Sequence, residues 1–322
     1  MILAGIDEAG YGPLLGPLVV GCCAFELPDT DPDSPLPCLW KRLRKRVSKT
    51  RSRNGRKIHV NDSKQVYSPA IGLHELERSL LSIAMAAEIS PESLGALLTD
   101  VCPHVLDDLP AYPWYDGGGE SFPIENDGIS LRLFSNALRL EMQRTQTLCV
   151  YLAARVVLER QLNRMINATR NKSSALFSTS AIHLDHLLRS FGDRGLVIVC
   201  DRQGGRGHYG SLLRQMFEEW SLEVTSEIDG RSEYRLNRSG HVVRIIFTEK
   251  AEMQAMPVAI ASMLCKYLRE ALMHRFNRYW KTHLPDLTPT AGYYTDGERF
   301  LRDIASKRTE LGIDDEQIVR CR

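Results

Sequence analysis

The chain has 322 residues, 43% of them apolar and 25% charged, with a formal net charge of +1. That length suits one large domain with insertions, or one domain plus a small second one, and the apolar fraction suffices for a substantial core. The near-zero net charge excludes reading a partner from whole-chain charge, and no apolar run approaches the ~18 residues that a membrane helix needs.

Met1–Asp7 reads as a short strand, followed by a turn at Ala9-Gly10-Tyr11-Gly12-Pro13 and a second apolar strand over Gly16–Phe25. Residues 27–38 are rich in Pro and Asp and read as a loop. A basic run spans residues 41–57, with Lys41, Arg42, Arg44, Lys45, Arg46, Lys49, Arg51, Arg53, Arg56 and Lys57. Asn61-Asp62-Ser63-Lys64 follows, then helical patterns to about residue 100. Residues 103–129 read as irregular, and a long helix is expected from near Ser130 to about Asn167 on the spacing of Tyr151, Leu158, Leu162 and Met165. Residues 168–180 read as a loop and His183–Phe191 as a short helix. Gly195–Asp201 is a buried strand ending in a carboxylate, with glycines after it. Leu222–Val224 and Val242–Phe247 suggest two more strands, Pro257 to about Phe276 a strong helix, and Glu298–Lys307 a last one. Strands alternating with helices point to a mixed α/β domain.

Eight cysteines make no CxxC pair, and Cys149, Cys200 and Cys265 sit inside apolar runs. This is the pattern of reduced, buried thiols rather than of a disulfide framework or zinc site. Asp7 and Glu8 precede any long apolar stretch and no basic segment comes before them, so no signal peptide is expected, and the protein reads as soluble and cytoplasmic.

Three carboxylate stations carry the chemistry. Asp7-Glu8 ends the first strand, where α/β sheets line their ligand crevices; an Asx-turn or helix N-cap explains the pair about as well. Asp201 ends an apolar strand before glycines, and a turn-forming Asp is the plain alternative. Glu270 lies four residues after Lys266 on one helix face, where a surface ion pair is the plain alternative. Taken together they suggest a cluster of hard oxygen ligands suited to Mg²⁺ or Mn²⁺. Two such ions, on the order of 4 Å apart, can clamp the attacking and leaving oxygens of a phosphodiester.

These residues resemble a family. Gly5-Ile-Asp-Glu-Ala-Gly-Tyr-Gly-Pro-Leu-Leu-Gly-Pro-Leu-Val-Val20 is similar to the opening motif of the type 2 ribonucleases H, the bacterial ribonucleases HII and HIII. Asn61-Asp-Ser-Lys64 resembles their Asp-Ser-Lys motif, Ala259–Glu270 their Ala-Ala-Ser-Ile-Leu-Ala-Lys helix, and Gly292-Tyr-Tyr-Thr295 their Gly-Tyr-x-Thr turn. About half of the chain lies between these motifs without a match. The resemblance implies a ribonuclease H-like α/β fold: a mixed five-stranded sheet flanked by helices, with helical insertions and a helical C-terminal part. It implies a catalytic domain over 1–275 with insertions at about 27–60 and 103–195, and a substrate-contacting helical part over 276–322.

The activity implied is endonucleolytic hydrolysis of RNA in RNA/DNA hybrids by two Mg²⁺ or Mn²⁺ ions, leaving a 3′-hydroxyl and a 5′-phosphate. Asp7, Glu8, Asp201 and Glu270 would be the metal-binding catalytic acids. Gly10, Tyr11, Gly12, Ser63, Lys64, Arg206, Lys266 and Tyr293 would contact nucleic acid, and the protein would act as a monomer. The family's Gly-Arg-Gly loop reads Gly10-Tyr11-Gly12 here, and Tyr294 replaces a small residue of its Gly-Tyr-Gly-Thr form. Both changes lie where the family senses a ribonucleotide, so substrate choice is where this chain departs. Tyr294 fits an altered aromatic platform or the packing of the C-terminal part equally well. The alternative functions are a nuclease on the same fold with a different nucleic-acid substrate, or a nucleic-acid-binding homologue without turnover.

The basic run reads as a solvated hairpin or as a phosphate-contacting segment; its position before Asn61–Lys64 favours phosphate contact. Gly204-Gly-Arg-Gly-His208 lacks the spacing and Lys of a nucleotide-binding loop, which excludes an ATP site of that kind. It is expected at the rim, with Arg206 or His208 near the scissile phosphate.

Overall fold

The computed structural model describes residues 1–28, 30–52, 55–89, 91–116 and 121–321; Arg53 of the basic run lies outside these. In chain order the elements are β1 (Ile2–Ala9), β2 (Leu18–Glu26), α1 (Leu39–Arg42), β3 (Val47–Ser48), β4 (Ile58–His59), α2 (Ser63–Val66), α3 (His74–Ala86), α4 (Leu94–Val101) and α5 (Gly128–Arg144). There follow β5 (Leu148–Val157), α6 (Glu159–Thr169), α7 (Lys172–Phe191), β6 (Leu196–Asp201), α8 (Gly210–Met216), β7 (Ser221–Ile228), β8 (Arg231–Arg238) and β9 (His241–Thr248). The chain then turns helical, with α9 (Ala251–Gln254), α10 (Met256–His283), α11 (Tyr294–Glu310) and α12 (Asp315–Ile318).

Seven strands form one mixed sheet in the order β5-β2-β1-β6-β9-β8-β7. β1 pairs antiparallel with β2 and parallel with β6, and β6 pairs parallel with β9. Alternation along each strand divides the core in two. Leu3, Val19, Cys23, Val197 and Val199 join the apolar layer under α10, while Ile2, Ala4, Ile6, Val20, Cys22 and Ile198 join the layer under α7. Glycines let α10 lie directly on the sheet: a Cβ at Gly5 would sit 2.2 Å from the Val258 nitrogen, and one at Gly21 2.9 Å from the Ala261 oxygen. Farther along α10, Trp280 stacks with Trp114 at 6.4 Å, and Phe276 packs edge-on to Trp114 at 5.6 Å.

The sheet has two strands more than the five that the resemblance implies. The hairpin β7–β8 adds to β9. β8 escapes the sequence reading because charged residues alternate with its buried Ser232, Tyr234 and Leu236, so half of the strand looks like surface. The expected helix over 130–167 is two helices with the edge strand β5 between them. Gln146 takes φ +49° after α5, and Leu152, Ala154 and Val156 then alternate inward with period two. The expected loop over 168–180 gives way to α7 at Lys172, where Asn171 caps the backbone nitrogens of Ser173 and Ser174. Among the described residues, 103–195 thus supply one sheet strand, β5, and the three helices α5, α6 and α7, and the boundary expected at 276 falls within the unbroken α10. All eight cysteines are free thiols. Among the described residues no helix is long and apolar enough to cross a membrane.

Candidate active site

Sheet register places the first two acids together. Ile6 pairs with Cys200 across parallel strands, so Asp7 and Asp201, one residue on, leave the same end of neighbouring strands. Such strands lie about 4.8 Å apart. Both acids follow residues of the α10 layer at period two, Leu3 and Gly5 before Asp7, Val197 and Val199 before Asp201. Glu8, the next residue, is still paired with Val20 of β2 but lies beyond the last residue of β1 that pairs with β6, and it lines the same cavity.

That cavity, of about 650 Å³, is lined by Asp7, Glu8, Asp201, Asp62, Lys64 and Glu252 among others. Asn61 to Lys64 enters from α2, where Asp62 accepts from the Lys64 backbone nitrogen at 3.0 Å and caps the turn. Ser63 is buried and hydrogen-bonds Ser262 of α10 at 3.1 Å, and Ser262 in turn supports the Asp7 carboxylate. The backbone nitrogen of Ala251 donates to Asp201 Oδ1 at 3.1 Å. Asp201 therefore holds the start of α9, whose first turn carries Glu252 into the cavity.

The electrostatics are those of crowded, buried acids that the nearby Lys64 only partly offsets. Burial, then Glu8 and Asp201, pushes the Asp7 carboxyl well above the usual range. Glu8 is pushed up to about 8 by burial and by Asp201, with Lys64 opposing. Asp201 rises mainly through burial, and Glu252 through burial and then through Asp201 and Asp62. Glu8 Oε2 is buried with no hydrogen-bond partner. Desolvated carboxylates with an orphaned oxygen are a cation's ligands in waiting. Among the described residues, no three acid, histidine or cysteine side chains are already gathered as a ligand set for a metal ion.

The structure brings Asp7, Glu8, Asp201, Ser63 and Lys64 together and leaves Glu270 aside. Glu270 pairs with Lys266 at 2.7 Å and accepts from the Tyr67 hydroxyl at 2.9 Å, so the plain ion pair accounts for it. Lys266 is committed to that pair and to the Tyr67 ring, 4.5 Å from its centroid. Glu252, which the sequence reading passed over, lines the cavity instead. Its signal is Glu-Lys-Ala-Glu at residues 249–252, an acid just before the helix pattern that begins at Pro257 rather than inside that pattern.

The glycine loop lies beside the cavity. Gly10 takes φ +86°, and a Cβ there would meet the Pro17 oxygen at 2.5 Å, while a Cβ on Gly12 would find nothing within 4 Å. Tyr11 is partly buried, with the Lys172 ammonium 5.3 Å from its ring centroid, and Arg206 acts on its hydroxyl. Arg206 donates to Ser173 Oγ at 2.8 Å and His208 faces Glu227 at 2.8 Å; neither lines the acid cavity. Tyr293 is exposed at the start of α11, its ring 6.0 Å from the Arg269 guanidinium. Arg269 is buried and donates to the Leu15 and Ala291 carbonyls, which ties the glycine loop to the Gly292 turn.

Comparison with family models and with curated proteins returns no match. The fold is similar to a ribonuclease HII from Archaeoglobus fulgidus, solved in complex with PCNA, at 17% identity and a TM-score of 0.46, covering 100% of this chain and 95% of that one. It is also similar to a ribonuclease H2 from Pyrococcus horikoshii OT3, at 14% identity and 0.45, covering 99% and 92%. A Bst ribonuclease HIII in complex with Mn²⁺ follows at 13% and 0.42, covering 99% and 66%.

Proposed function

We propose that this chain is a metal-dependent nuclease of the type 2 ribonuclease H kind that hydrolyses the RNA strand of RNA/DNA hybrids. The observation that carries the reading is the convergence of Asp7, Glu8, Asp201 and Glu252 on one cavity, with Asp7 and Asp201 leaving the same end of adjacent parallel strands. Three of the four sequence motifs support it as well, since Gly5–Val20, Asn61–Lys64 and Ala259–Glu270 contribute residues to that cavity or pack directly behind it.

The residues present fit Mg²⁺ or Mn²⁺. Their acidic groups are carboxylates, no histidine or cysteine lines the cavity among the described residues, and Glu8 Oε2 is buried without a partner. Asp7, Glu8, Asp201 and Glu252 would hold two such ions. Bound there, the ions would supply Lewis acidity and lower the pKa of water for attack on a phosphodiester, leaving a 3′-hydroxyl and a 5′-phosphate.

The chain's own groups do the rest. Ser63 and Ser262 fix the Asp7 carboxylate, and Ala251 fixes that of Asp201. Lys64 lowers the charge cost of the cluster and offers its ammonium to a phosphate oxygen. Tyr11 and Gly12 present an aromatic ring and an open backbone to the strand beside the cut. The test is a panel of hybrid, duplex RNA, duplex DNA and a duplex with one embedded ribonucleotide, each with Mg²⁺ and with Mn²⁺. Cleavage of the hybrid is expected. No cleavage of hybrid with either ion, or cleavage of duplex DNA alone, overturns the reading.

A further inference from the structure

An acid cavity repels the polyanion it is meant to cut, so a nuclease needs cationic surface at its rim. The net charge is only +1, yet residues 41–57 contain no acid among ten lysines and arginines, namely Lys41, Arg42, Arg44, Lys45, Arg46, Lys49, Arg51, Arg53, Arg56 and Lys57. The proposed mechanism makes no use of this segment.

The structure fastens the segment to the cavity. Lys49 Nζ donates to the Met253 carbonyl at 2.7 Å, and the Lys49 carbonyl accepts from Asn61 Nδ2 at 2.9 Å. Met253 and Asn61 both line the acid cavity. Trp40 locks the other side: its ring lies 4.1 Å from Lys49 Nζ, and its Nε1 donates to the Val60 carbonyl at 2.8 Å. Backbone bonds from Ile58 to Arg46 and from Val60 to Ser48 then hold the strip flat against the strand that leads into Asn61.

Moving away from the rim, the short strand β3, Val47–Ser48, separates Lys49 from Arg46. Lys41, Arg44, Lys45 and Arg46 beyond it are exposed. Arg42 is the exception, turned inward onto the Thr145 carbonyl and the Thr147 hydroxyl. Glu141 is the acid that Lys45 and Arg46 act on, and Arg144 already pairs with it at 2.8 Å. The result is a row of cations that starts at the cavity and leads outward on a braced backbone, as a charged loop without those bonds would not.

We propose that Lys41, Arg44, Lys45 and Arg46 form a docking strip for the phosphate backbone of a duplex nucleic acid whose scissile strand lies in the Asp7–Asp201 cavity. The inference rests on the nuclease reading and adds where the duplex runs. The test compares the chain carrying Lys41→Gln, Arg44→Gln, Lys45→Gln and Arg46→Gln with the parent, both in an Asp7→Asn background so that the substrate stays whole. The probe is an RNA/DNA hybrid titrated across salt concentrations. The strip predicts that the four changes weaken binding by about tenfold or more near 0.1 M salt and flatten the salt dependence by roughly 0.9 per lost contact in log–log slope. Thermal unfolding is expected to be unchanged. Equal affinity and equal slope overturn the inference, as does a parent that binds no hybrid. Failure of the nuclease reading shows separately, as wild-type protein that binds the hybrid and leaves it uncut.

Discussion

Arg320 Nη1 donates to the carbonyl oxygen of Gly10 at 2.5 Å, across 310 residues of sequence. The same guanidinium reaches the carbonyls of Gly16 and Tyr11, each at 3.3 Å, and the Arg320 backbone nitrogen bonds Leu14 at 3.0 Å. The glycine loop beside the acid cavity is thus braced from behind by a buried cation, and Asn163 of α6 holds Val319 and Cys321 on either side of it.

Arg320→Ala removes that brace from three carbonyls and takes away a cation that acts on the buried Glu159. Hydrogen bonds to a buried charge make this a large loss, about 3 kcal/mol by urea unfolding. Arg320→Lys recovers only part of it, since an ammonium cannot span the carbonyls as the guanidinium fork does. A loss below about 1 kcal/mol for the alanine variant speaks against a bracing role.

Glu252 and Glu270 separate two versions of the site. Glu252→Gln is expected to cut hybrid cleavage by at least about 100-fold, the upper end of what an outer-shell partner costs a metal site. Glu270→Gln is expected to keep turnover within a few-fold and to lower stability, because Lys266 and Tyr67 lose their partner. The reverse order of effects, read from kcat in Mg²⁺, places the fourth acid at 270 instead.

The metal-free protein carries a distinct pH signature. Glu8 stands at about 8 against an unfolded value of 4.5, and Asp7 and Asp201 are raised too, all mainly by burial. A folded-state value above the unfolded one means that the fold keeps protons the unfolded chain has released. Stability in chelator therefore falls as pH rises from about 4.5 to about 8. Glu8→Gln flattens the profile. Added Mg²⁺ stabilises most at the high end, where the ligands are ionised. A Tm that rises over this window in chelator contradicts the crowded-acid site.

Gly5→Ala tests how α10 meets the sheet. The added Cβ would lie 2.2 Å from the Val258 nitrogen and 2.4 Å from the Pro257 carbonyl carbon, both backbone, so the helix itself has to shift. A cost above about 3 kcal/mol, or failure to fold, is expected. Gly12→Ala is the control, with open space around it and an expected change of about 0.5 kcal/mol or less. Equal stabilities for the two variants contradict the packing described.

Much of the site was legible because the acids end strands. Asp7 and Asp201 each close a buried apolar run, and parallel pairing then brings such ends together. Glu270 misled because a helix face carrying Lys266 and Glu270 four residues apart reads alike for a ligand and for an ion pair. Glu252 was hidden because α9 spans just Ala251–Gln254 and shows no periodicity, and long-range bonds such as that from Ala251 to Asp201 fix its direction. In the fold, β5 was lost inside a helical-looking stretch, since Tyr151 and Leu158 satisfy a helical spacing while Leu152, Ala154 and Val156 satisfy a strand's. Arg320 carries no sequence signal at all, because its partners are backbone carbonyls of the glycine loop.

The central claim is that Asp7 anchors a metal-dependent phosphodiester cleavage site, and Asp7→Asn tests it most directly. Cleavage of a labelled RNA/DNA hybrid in Mg²⁺ or Mn²⁺ is expected to fall to background, with the melting transition and hybrid binding kept. Metal-dependent cleavage by the Asp7→Asn protein at a rate near that of the wild type would contradict the account.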